Sequence, residues 1–233
     1  MRTFFRPSTL LCFSPPVMIA TVVIELSLAA WIVTRYATSS LHRLAITMLI
    51  CLGGFQFAEF NVCGEHGPTL LWSRLGYILI TLLPPLGLHI ITLIRRQPTK
   101  LIAAAYTAAG VFIAGLAFVP STLNASVCTG NYVIFQLAHP FDRWYAYYYV
   151  GLLLFSLALA IAGTFTATNR RRRASLGWMA SGYLAFMVPS YAIYFLFPTT
   201  GRGLPSIMCG FAVTFALILG LRVVPNATSP LSR

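Results

Sequence analysis

The stretch LIAAAYTAAGVFIAGLAFV, residues 101–119, runs from end to end without a charged side chain. A helix needs about 20 mainly apolar residues to cross the hydrocarbon core of a bilayer, so this stretch is long enough to span it. Lipid offers the backbone no hydrogen-bond partners, and only helices and closed barrels satisfy their own backbone groups. A barrel would show short strands of alternating hydrophobicity. The unbroken apolar run therefore predicts a membrane-spanning helix.

The same pattern recurs along the rest of the chain. Of the 233 residues, 58% are hydrophobic and only 9% are charged. Apolar runs of span length alternate with short polar connections, which leaves no segment for a soluble domain. The sequence therefore predicts an all-α membrane protein with a single domain over residues 1–233, built as a bundle of seven transmembrane helices. We place the spans at 15–34, 41–60, 70–94, 101–119, 144–168, 176–197 and 204–222.

The basic residues are unevenly divided between the connections. Eleven of the 16 Lys and Arg residues fall in the connections 35–43, 95–100 and 169–173 and near the end of the chain, and the other five fall on the opposite side. Cytoplasmic connections are enriched in Lys and Arg. The asymmetry predicts an amino terminus outside and a carboxyl terminus in the cytoplasm, in a multi-pass protein of the cell membrane, specifically a bacterial inner membrane. The net charge of +12 then reflects membrane orientation, and we expect no nucleic-acid partner.

Glu25 is the first candidate for a site, because it lies near the middle of the first span between Ile24 and Leu26. An ionised carboxylate at this depth is costly, so such residues usually face the bundle interior and mark a function. The only lysine, Lys100, lies in a connection and cannot pair with it. Two interpretations stay open: a functional carboxyl group, or a neutral one that is hydrogen-bonded to a neighbouring helix.

Gln56 and Glu59 lie one turn apart in the outer half of the second span, and Arg74 lies at the outer start of the third. The connection between these spans is short, so the two helices are antiparallel neighbours and Glu59 and Arg74 reach a similar depth. They could form an ion pair. The three side chains then either line an outward-facing pocket or clasp the two helices together.

Two further candidates lie deeper in the bundle. His89 is in the inner half of the third span, and Tyr191 belongs to an aromatic stripe over residues 183–194 that could line a cavity. A lone histidine in a bundle is more often a hydrogen-bonded core residue than a ligand. Haem would need a second histidine at matching depth, and the sequence offers none. The aromatic run 144–149 opens the fifth span and is typical of the interfacial belt.

Prolines and small residues predict how the spans bend and pack. Pro84 and Pro85 in the third span and Pro189 in the sixth should kink their helices, since proline removes a backbone donor. Ala158 and Ala162 in the fifth span have the spacing of a packing face, because small side chains let helices approach closely. Kinks of this kind serve either packing or a cavity, and both interpretations stay open.

Two of the five cysteines, Cys63 and Cys128, fall in connections on the predicted outer side. Disulfides persist in oxidising compartments, so these two are candidates for a bridge between the second-to-third connection and the long connection before the fifth span. Spacing alone does not establish the geometry that a bridge requires. The remaining cysteines in helices, Cys51 and Cys209, should behave as small apolar residues.

The signatures of common enzymes are missing from the sequence. No phosphate-binding loop and no H-E-x-x-H zinc motif occurs. The seventh span has no lysine for a retinal Schiff base, and no histidine follows Ser181 to act as its base. We therefore predict that the chain is not an enzyme and that it carries neither a cofactor nor a metal.

The segment FAEFNVCGEHGPTLLWSRLGYILITLLPPLGLHIITLI, residues 57–94, resembles the seven-helix amino-terminal sensor region of bacterial histidine kinases. The shared pattern is an outer connection followed by Trp72, Arg74 and Tyr77, with Pro84 near the middle of the helix. The run PSIMCGFAV from Pro205 also resembles small bacterial integral membrane proteins without an assigned function. The resemblance implies a sensor, and because the sequence ends at Arg233 we expect no output domain after the seventh span.

Together these patterns predict a receptor-like membrane protein that binds a small or lipid-like ligand and signals through a separate partner. We expect membrane lipid to surround the protein, and we expect its signalling partner to lie in the cytoplasm or the membrane. A transporter or channel for a small solute or ion is the first alternative, and a structural or assembly protein is the second. The candidate ligand-binding residues are Glu25, Gln56, Glu59, Arg74, His89 and Tyr191.

Overall fold

The computed structural model describes residues 15–37, 39–97, 100–124, 126–128 and 133–227, which form a helical bundle. Seven helical segments are long and apolar enough to cross a membrane, which confirms the predicted number of spans. Their length and composition are those of a multi-pass membrane protein. The segments are Pro16–Arg35, Ser40–Cys63, Thr69–Arg95, Lys100–Phe118, Phe141–Thr166, Arg170–Leu196 and Leu204–Ala227.

The helices of the described residues are numbered here in chain order. They are α1 (Pro15–Arg35), α2 (Ser40–Cys63), α3 (Thr69–Thr81), α4 (Leu83–Arg95), α5 (Lys100–Phe118), α6 (Phe141–Thr166), α7 (Arg170–Leu196), α8 (Leu204–Ile218) and α9 (Val224–Ala227). A π-helical turn, Leu219–Val223, joins α8 to α9. Between α5 and α6, the short strands β1 (Val127–Cys128) and β2 (Val133–Ile134) pair antiparallel. Short 3-10 helices lie at Pro120–Thr122 and Pro198–Gly203.

The third span is divided into α3 and α4 at Leu82, where the paired prolines predict a kink. Pro85 has no amide hydrogen, so the Thr81 carbonyl four residues earlier loses the partner that a continuous helix would give it. Pro189 has a milder effect, because α7 continues on both sides of it.

Two spans begin earlier than the sequence predicts. The fifth begins at Phe141 instead of 144, and the sixth begins at Arg170 instead of 176. The four arginines from 170 to 173 therefore form the first turn of α7 and not a connection. The Asn169 side chain explains this start, because it accepts hydrogen bonds from the amides of Arg171 (2.9 Å) and Arg172 (3.3 Å). Such a cap satisfies amides that would otherwise lack partners.

The helices pack around a closed interior. Helix α1 packs against α2 and α8, α2 packs against α3 and α4, and α7 packs against α6 and α8, while α5 lies outside α3 and α4. Fully buried side chains such as Ile32, Phe55 and Leu176 fill the centre. Large apolar side chains such as Val111 and Phe165 are exposed, as expected of a surface that faces lipid.

The packing face predicted for the fifth span is wrong. Ala158 and Ala162 are exposed, whereas Ser156, Ala160 and Gly163 of the same helix face the interior. The helix is apolar on every side, and in that case hydrophobicity does not identify which face is buried.

The antiparallel spans give the bundle two ends. We call the end with Cys63, the start of α6 and the start of α8 the disulfide end, and the opposite end the arginine end. Ten basic side chains of the described residues belong to the arginine end, and no Asp or Glu does. The ten are Arg35, Arg43, Arg95, Arg96, Lys100, Arg170, Arg171, Arg172, Arg173 and Arg222.

Candidate functional site

A cavity of about 570 Å³ lies at the disulfide end. This volume is within the usual range for small-molecule sites. Its walls come from α3, α6, the start of α8 and the segment 135–139 after β2. The lining includes Tyr77, Tyr145, Ala146, Tyr149, Leu204 and Met208.

The connection between α5 and α6 covers this cavity and is tied to the helices beneath it. Cys128 in β1 forms a disulfide with Cys63 at the end of α2, with Cα atoms 5.3 Å apart. The Ser126 hydroxyl lies 2.7 Å from the Ser73 hydroxyl of α3. Strand β1 is therefore held to two different helices.

Strand β2 is held at a third point. The Val133 amide donates a hydrogen bond to the Ser206 hydroxyl of α8 (3.2 Å), and both residues are buried. Beyond the strands, the Asn124 amide donates to the Gln136 carbonyl (2.8 Å) and closes the cover on itself. The described residues of the cover are therefore anchored to α2, α3 and α8.

Polar groups of the cavity gather at its rim. Asn124, Gln136, His139 and Asp142 contribute to the lining, and His139 and Asp142 are partly exposed. The Asp142 carboxylate lies 3.2 Å from His139 Nδ1 and accepts a hydrogen bond from the Arg143 amide (2.8 Å). An apolar and aromatic interior with a polar rim suits a small amphipathic molecule.

The floor of the cavity separates it from a smaller void at the centre of the bundle. Tyr149 and Met208 line both spaces, and the inner void has a volume of about 30 Å³. Tyr183 lines the inner void, and its hydroxyl sits where a side chain on Gly87 would begin, 2.0 Å from an ideal Cβ. Only glycine at position 87 leaves room for this tyrosine.

The break between α3 and α4 lies beside the cavity, and α6 supplies a hydrogen-bond donor to the carbonyl that the break leaves free. The Tyr148 hydroxyl donates to the Thr81 carbonyl that Pro85 leaves free (2.6 Å). The Thr81 hydroxyl donates to the Tyr77 carbonyl (2.6 Å) and lies 3.0 Å from the Tyr145 hydroxyl. The same tyrosine that lines the cavity, Tyr145, therefore also contacts the break.

These contacts correct the prediction of a purely interfacial aromatic run at 144–149. Trp144 and Tyr147 are 65% and 71% exposed and fit that prediction. Tyr145 is only 5% exposed, and Tyr148 and Tyr149 pack against the core. One face of the helix thus places Trp144 and Tyr147 on the surface, and the other directs the remaining three tyrosines inward.

Three of the predicted site residues lie in the buried interface of α1, α2 and α8, away from the cavity. Glu25 is fully buried, and its carboxyl group packs against Gly53 of α2. Both carboxyl oxygens of Glu25 and the side-chain nitrogen of Gln56 have no hydrogen-bond partner among the described residues. Glu59 is also buried, within hydrogen-bonding reach of Ser206. We call Glu25, Gln56, Glu59 and Ser206 the buried polar cluster.

The ion pair between Glu59 and Arg74 does not form. No Lys or Arg of the described residues lies within ion-pair distance of a carboxylate, and the one contact of that kind joins His139 to Asp142. The Arg74 guanidinium instead donates to the Pro120 carbonyl at the end of α5 (3.3 Å). The two side chains contact different neighbours: Glu59 reaches Ser206 of α8, and Arg74 reaches the Pro120 carbonyl just after α5.

The last two candidates also lie outside the cavity. His89 Nδ1 is 3.3 Å from the Tyr106 hydroxyl of α5, an interaction of a packed interface. Tyr191 is half-buried, and its hydroxyl has no hydrogen-bond partner in the described part of the chain. None of the six predicted residues lines the cavity, so their role in ligand binding stays a prediction.

Sequence reasoning missed the residues that build the cavity, chiefly Tyr77, Tyr145, Tyr149 and Met208. The sequence does indicate one contact beside the cavity. Pro85 predicts a free carbonyl at Thr81, and a buried free carbonyl requires a donor such as a tyrosine hydroxyl from a neighbouring span. The sequence does not say which of the many tyrosines supplies it.

Within the described residues, no group of three or more His, Cys, Asp or Glu side chains could hold a metal ion. No family model, curated protein or solved structure matches this chain. Its fold and its candidate site are therefore interpreted from its own residues.

Proposed function

We propose that this chain is a receptor-like integral membrane protein that binds a small amphipathic ligand in the cavity at the disulfide end. The observation that carries the proposal is the cavity itself, with its volume of about 570 Å³, its tyrosine-rich interior and its anchored cover. A cavity of this kind is the usual form of a small-molecule site.

The lining defines the chemical class of the ligand. Leu204, Met208 and the rings of Tyr145 and Tyr149 favour an apolar or aromatic body. At the rim, Asp142 is the only acidic side chain in the lining. Since a carboxylate accepts hydrogen bonds and attracts positive charge, we propose a ligand with an amine or other donor group at its head.

The break in the third span offers a route from binding to signalling. A ligand that contacts Tyr145 acts on a side chain that also touches Thr81, where α3 ends. Such a ligand would change the relative stability of two arrangements of α3 and α4 if its affinity for them differs. Helix α4 ends at Arg95, so its movement would reach the arginine end.

The proposed orientation places the cavity outside the cell. Ten basic residues at the arginine end support a cytoplasmic position for that end, because basic residues are enriched on the cytoplasmic side. The disulfide supports an oxidising compartment for the other end. The protein would then reside in the cell membrane, as in a bacterial inner membrane. It would signal through a partner bound at its arginine end.

The ligand class can be tested with three soluble probes that share one body and differ in the head group. The protein is purified in neutral detergent, and its thermal unfolding is followed with phenylethylamine, phenylethanol or phenylacetate. We expect the amine to raise the unfolding midpoint most and the carboxylate least. The Asp142→Asn variant should lose the difference between amine and alcohol while it keeps the effect of the alcohol.

A uniform response of the wild type to all three probes would contradict the proposed head group. The absence of any shift at probe concentrations up to the millimolar range would contradict a site for small amphipathic molecules. Arg143→Gln serves as a matched control, since it changes a neighbouring charge that does not line the cavity.

The buried polar cluster favours a second candidate function, transport of protons or small cations. Buried carboxyl groups inside a membrane protein usually mark ion paths, and Glu25 and Glu59 both have oxygens without partners among the described residues. The cluster reaches the disulfide end through Ser206, which bonds to β2.

Transport is tested with the protein in liposomes that enclose a pH-sensitive dye. A proton flux that Glu25→Gln abolishes, while Arg74→Gln leaves it intact, would favour transport over the receptor. From the receptor proposal we expect no flux above that of protein-free liposomes.

A further inference from the structure

A second cavity, of about 310 Å³, lies at the opposite end of the bundle from the proposed ligand site. It is formed where the start of α2, the end of α4, the start of α7 and α9 meet. Its polar lining consists of Arg96, Asn169, Arg171, Arg172 and Asn226, and its apolar lining includes Leu41, Leu93 and Ile94. We call this cavity the arginine groove.

Three arginine residues, from the end of α4 and the start of α7, line the groove. Arg96 follows α4, whereas Arg171 and Arg172 belong to the first turn of α7. The amides of Arg171 and Arg172 already donate to the Asn169 side chain. A ligand in the groove would therefore be held by side chains and not by the helix terminus.

The chain supplies no carboxylate side chain to balance these charges. It has four acidic residues in all. Glu25 and Glu59 are buried in the bundle, and Glu65 and Asp142 belong to the disulfide end. Arg173, the next residue of α7, is already engaged, since its side chain donates twice to the Ala167 carbonyl (3.2 and 3.1 Å). Within the described residues, no carboxylate therefore compensates the charge of the groove.

The backbone conformation of Arg96 supports a role for its side chain. Arg96 has a φ of 56°, in the left-handed region that favours glycine at the end of a helix. Its amide and that of Gln97 close α4 by bonding to the Leu93 and Thr92 carbonyls. Glycine would form the same cap without strain, so an arginine at this position carries a conformational cost of about 1 kcal/mol.

We infer that the arginine groove binds a phosphate group, carried either by an anionic lipid headgroup or by a free phosphate compound. Guanidinium groups form paired hydrogen bonds with phosphate oxygens, and several together neutralise its charge. The apolar residues beside the arginines could accommodate a glycerol or acyl segment. Basic pockets between transmembrane helices are known to hold such head groups.

Native mass spectrometry of the purified protein tests the inference and separates the two sources. One sample receives phosphatidylglycerol, a second receives phosphatidylcholine as a neutral lipid control, and a third receives glycerol 3-phosphate. We expect one strongly retained phosphatidylglycerol per protein, with at least tenfold weaker binding by Arg171→Gln/Arg172→Gln. The matched control Arg43→Gln/Lys100→Gln removes two charges from the same end without touching the groove, and should retain the lipid.

The outcomes lead to different conclusions. Retention of phosphatidylglycerol alone assigns the groove to lipid, and retention of glycerol 3-phosphate as well assigns it to free phosphate compounds. Equal losses in the groove variant and in the control variant would overturn the inference, because binding would then depend on total charge. Failure of the wild type to retain either anion would also overturn it.

Arg96→Gly keeps the test decisive if the double variant does not fold. This substitution relieves the backbone strain, so the unfolding midpoint without ligand should stay the same or rise. Binding of the phosphate-bearing anion should nevertheless fall about tenfold. An unchanged affinity in Arg96→Gly would show that Arg96 is not part of the site.

Discussion

The two ends of the bundle differ in how their polar groups are satisfied. At the disulfide end, a disulfide, a pair of hydroxyl groups and a backbone hydrogen bond to Ser206 hold a cover over a cavity, all from within the chain. At the arginine end, ten basic side chains gather without one acidic side chain among them. The contacts that hold the first end come from within the chain, whereas no carboxylate of the described residues balances the charges of the second. Changes at the disulfide end should therefore lower stability. Changes at the arginine end should mainly weaken anion binding and leave stability nearly unchanged.

The largest effect should come from loss of the disulfide. Cys63→Ser removes a cross-link between residues 65 apart in sequence, and such cross-links contribute roughly 2–5 kcal/mol by restricting the unfolded chain. We expect a lower unfolding midpoint in detergent and weaker binding of phenylethylamine. A reducing agent should lower the wild-type midpoint to that of the variant and leave the variant unchanged. If reduction does not change the wild-type midpoint, the disulfide does not stabilise the disulfide end.

The core between the two ends should show the next largest effect. Gly87→Ala places a methyl group against the Tyr183 hydroxyl, and overpacking of this kind costs about 1–3 kcal/mol. Tyr183→Phe removes the clashing oxygen and should restore most of the stability when it is combined with Gly87→Ala. The measurement is a double-mutant cycle of unfolding free energies. Additive effects in that cycle would show that the two residues do not touch.

A smaller effect is expected at the break between α3 and α4. Tyr148→Phe leaves the Thr81 carbonyl without its donor, which costs about 1–3 kcal/mol for a buried group. Tyr147→Phe is the matched control, because Tyr147 is 71% exposed on the same helix and should tolerate the change. Unfolding in detergent measures both. Equal stability of the two variants would mean that the break does not depend on α6.

The smallest effect on stability is expected at the arginine end. Arg171→Gln/Arg172→Gln should leave the unfolding midpoint in neutral detergent unchanged or slightly higher, since it relieves repulsion between like charges. In the presence of phosphatidylglycerol, the same variant should gain less stability than the wild type. A marked loss of stability without lipid would show that these arginines serve the fold, and would weaken the contrast between the ends.

Several features of the fold follow directly from sequence. The seven spans follow from the length of the apolar runs, and the division of the third span follows from Pro84 and Pro85. The candidate pairing of Cys63 with Cys128 followed from their shared side of the membrane, and the structure contains that bond. These are properties of length, composition and position along the chain.

The rotation of each helix about its axis does not follow from sequence, and most of the site depends on it. Glu59 reaches Ser206 of α8, whereas Arg74 donates to the Pro120 carbonyl just after α5. Tyr145 and Tyr147 are two residues apart, yet one faces the interior and the other the surface. In a chain that is apolar on all sides, packing between helices determines these directions, so the cavity residues could not be named in advance.

The most direct test of the proposed function fills the cavity. Ala146→Trp places a bulky ring into the lining from α6, whereas Ala158→Trp places the same ring on the exposed face of the same helix. The measurement is the shift in unfolding midpoint that phenylethylamine causes in each variant. We expect Ala146→Trp to abolish the shift and Ala158→Trp to keep the wild-type value. An undiminished shift in Ala146→Trp would contradict ligand binding in this cavity.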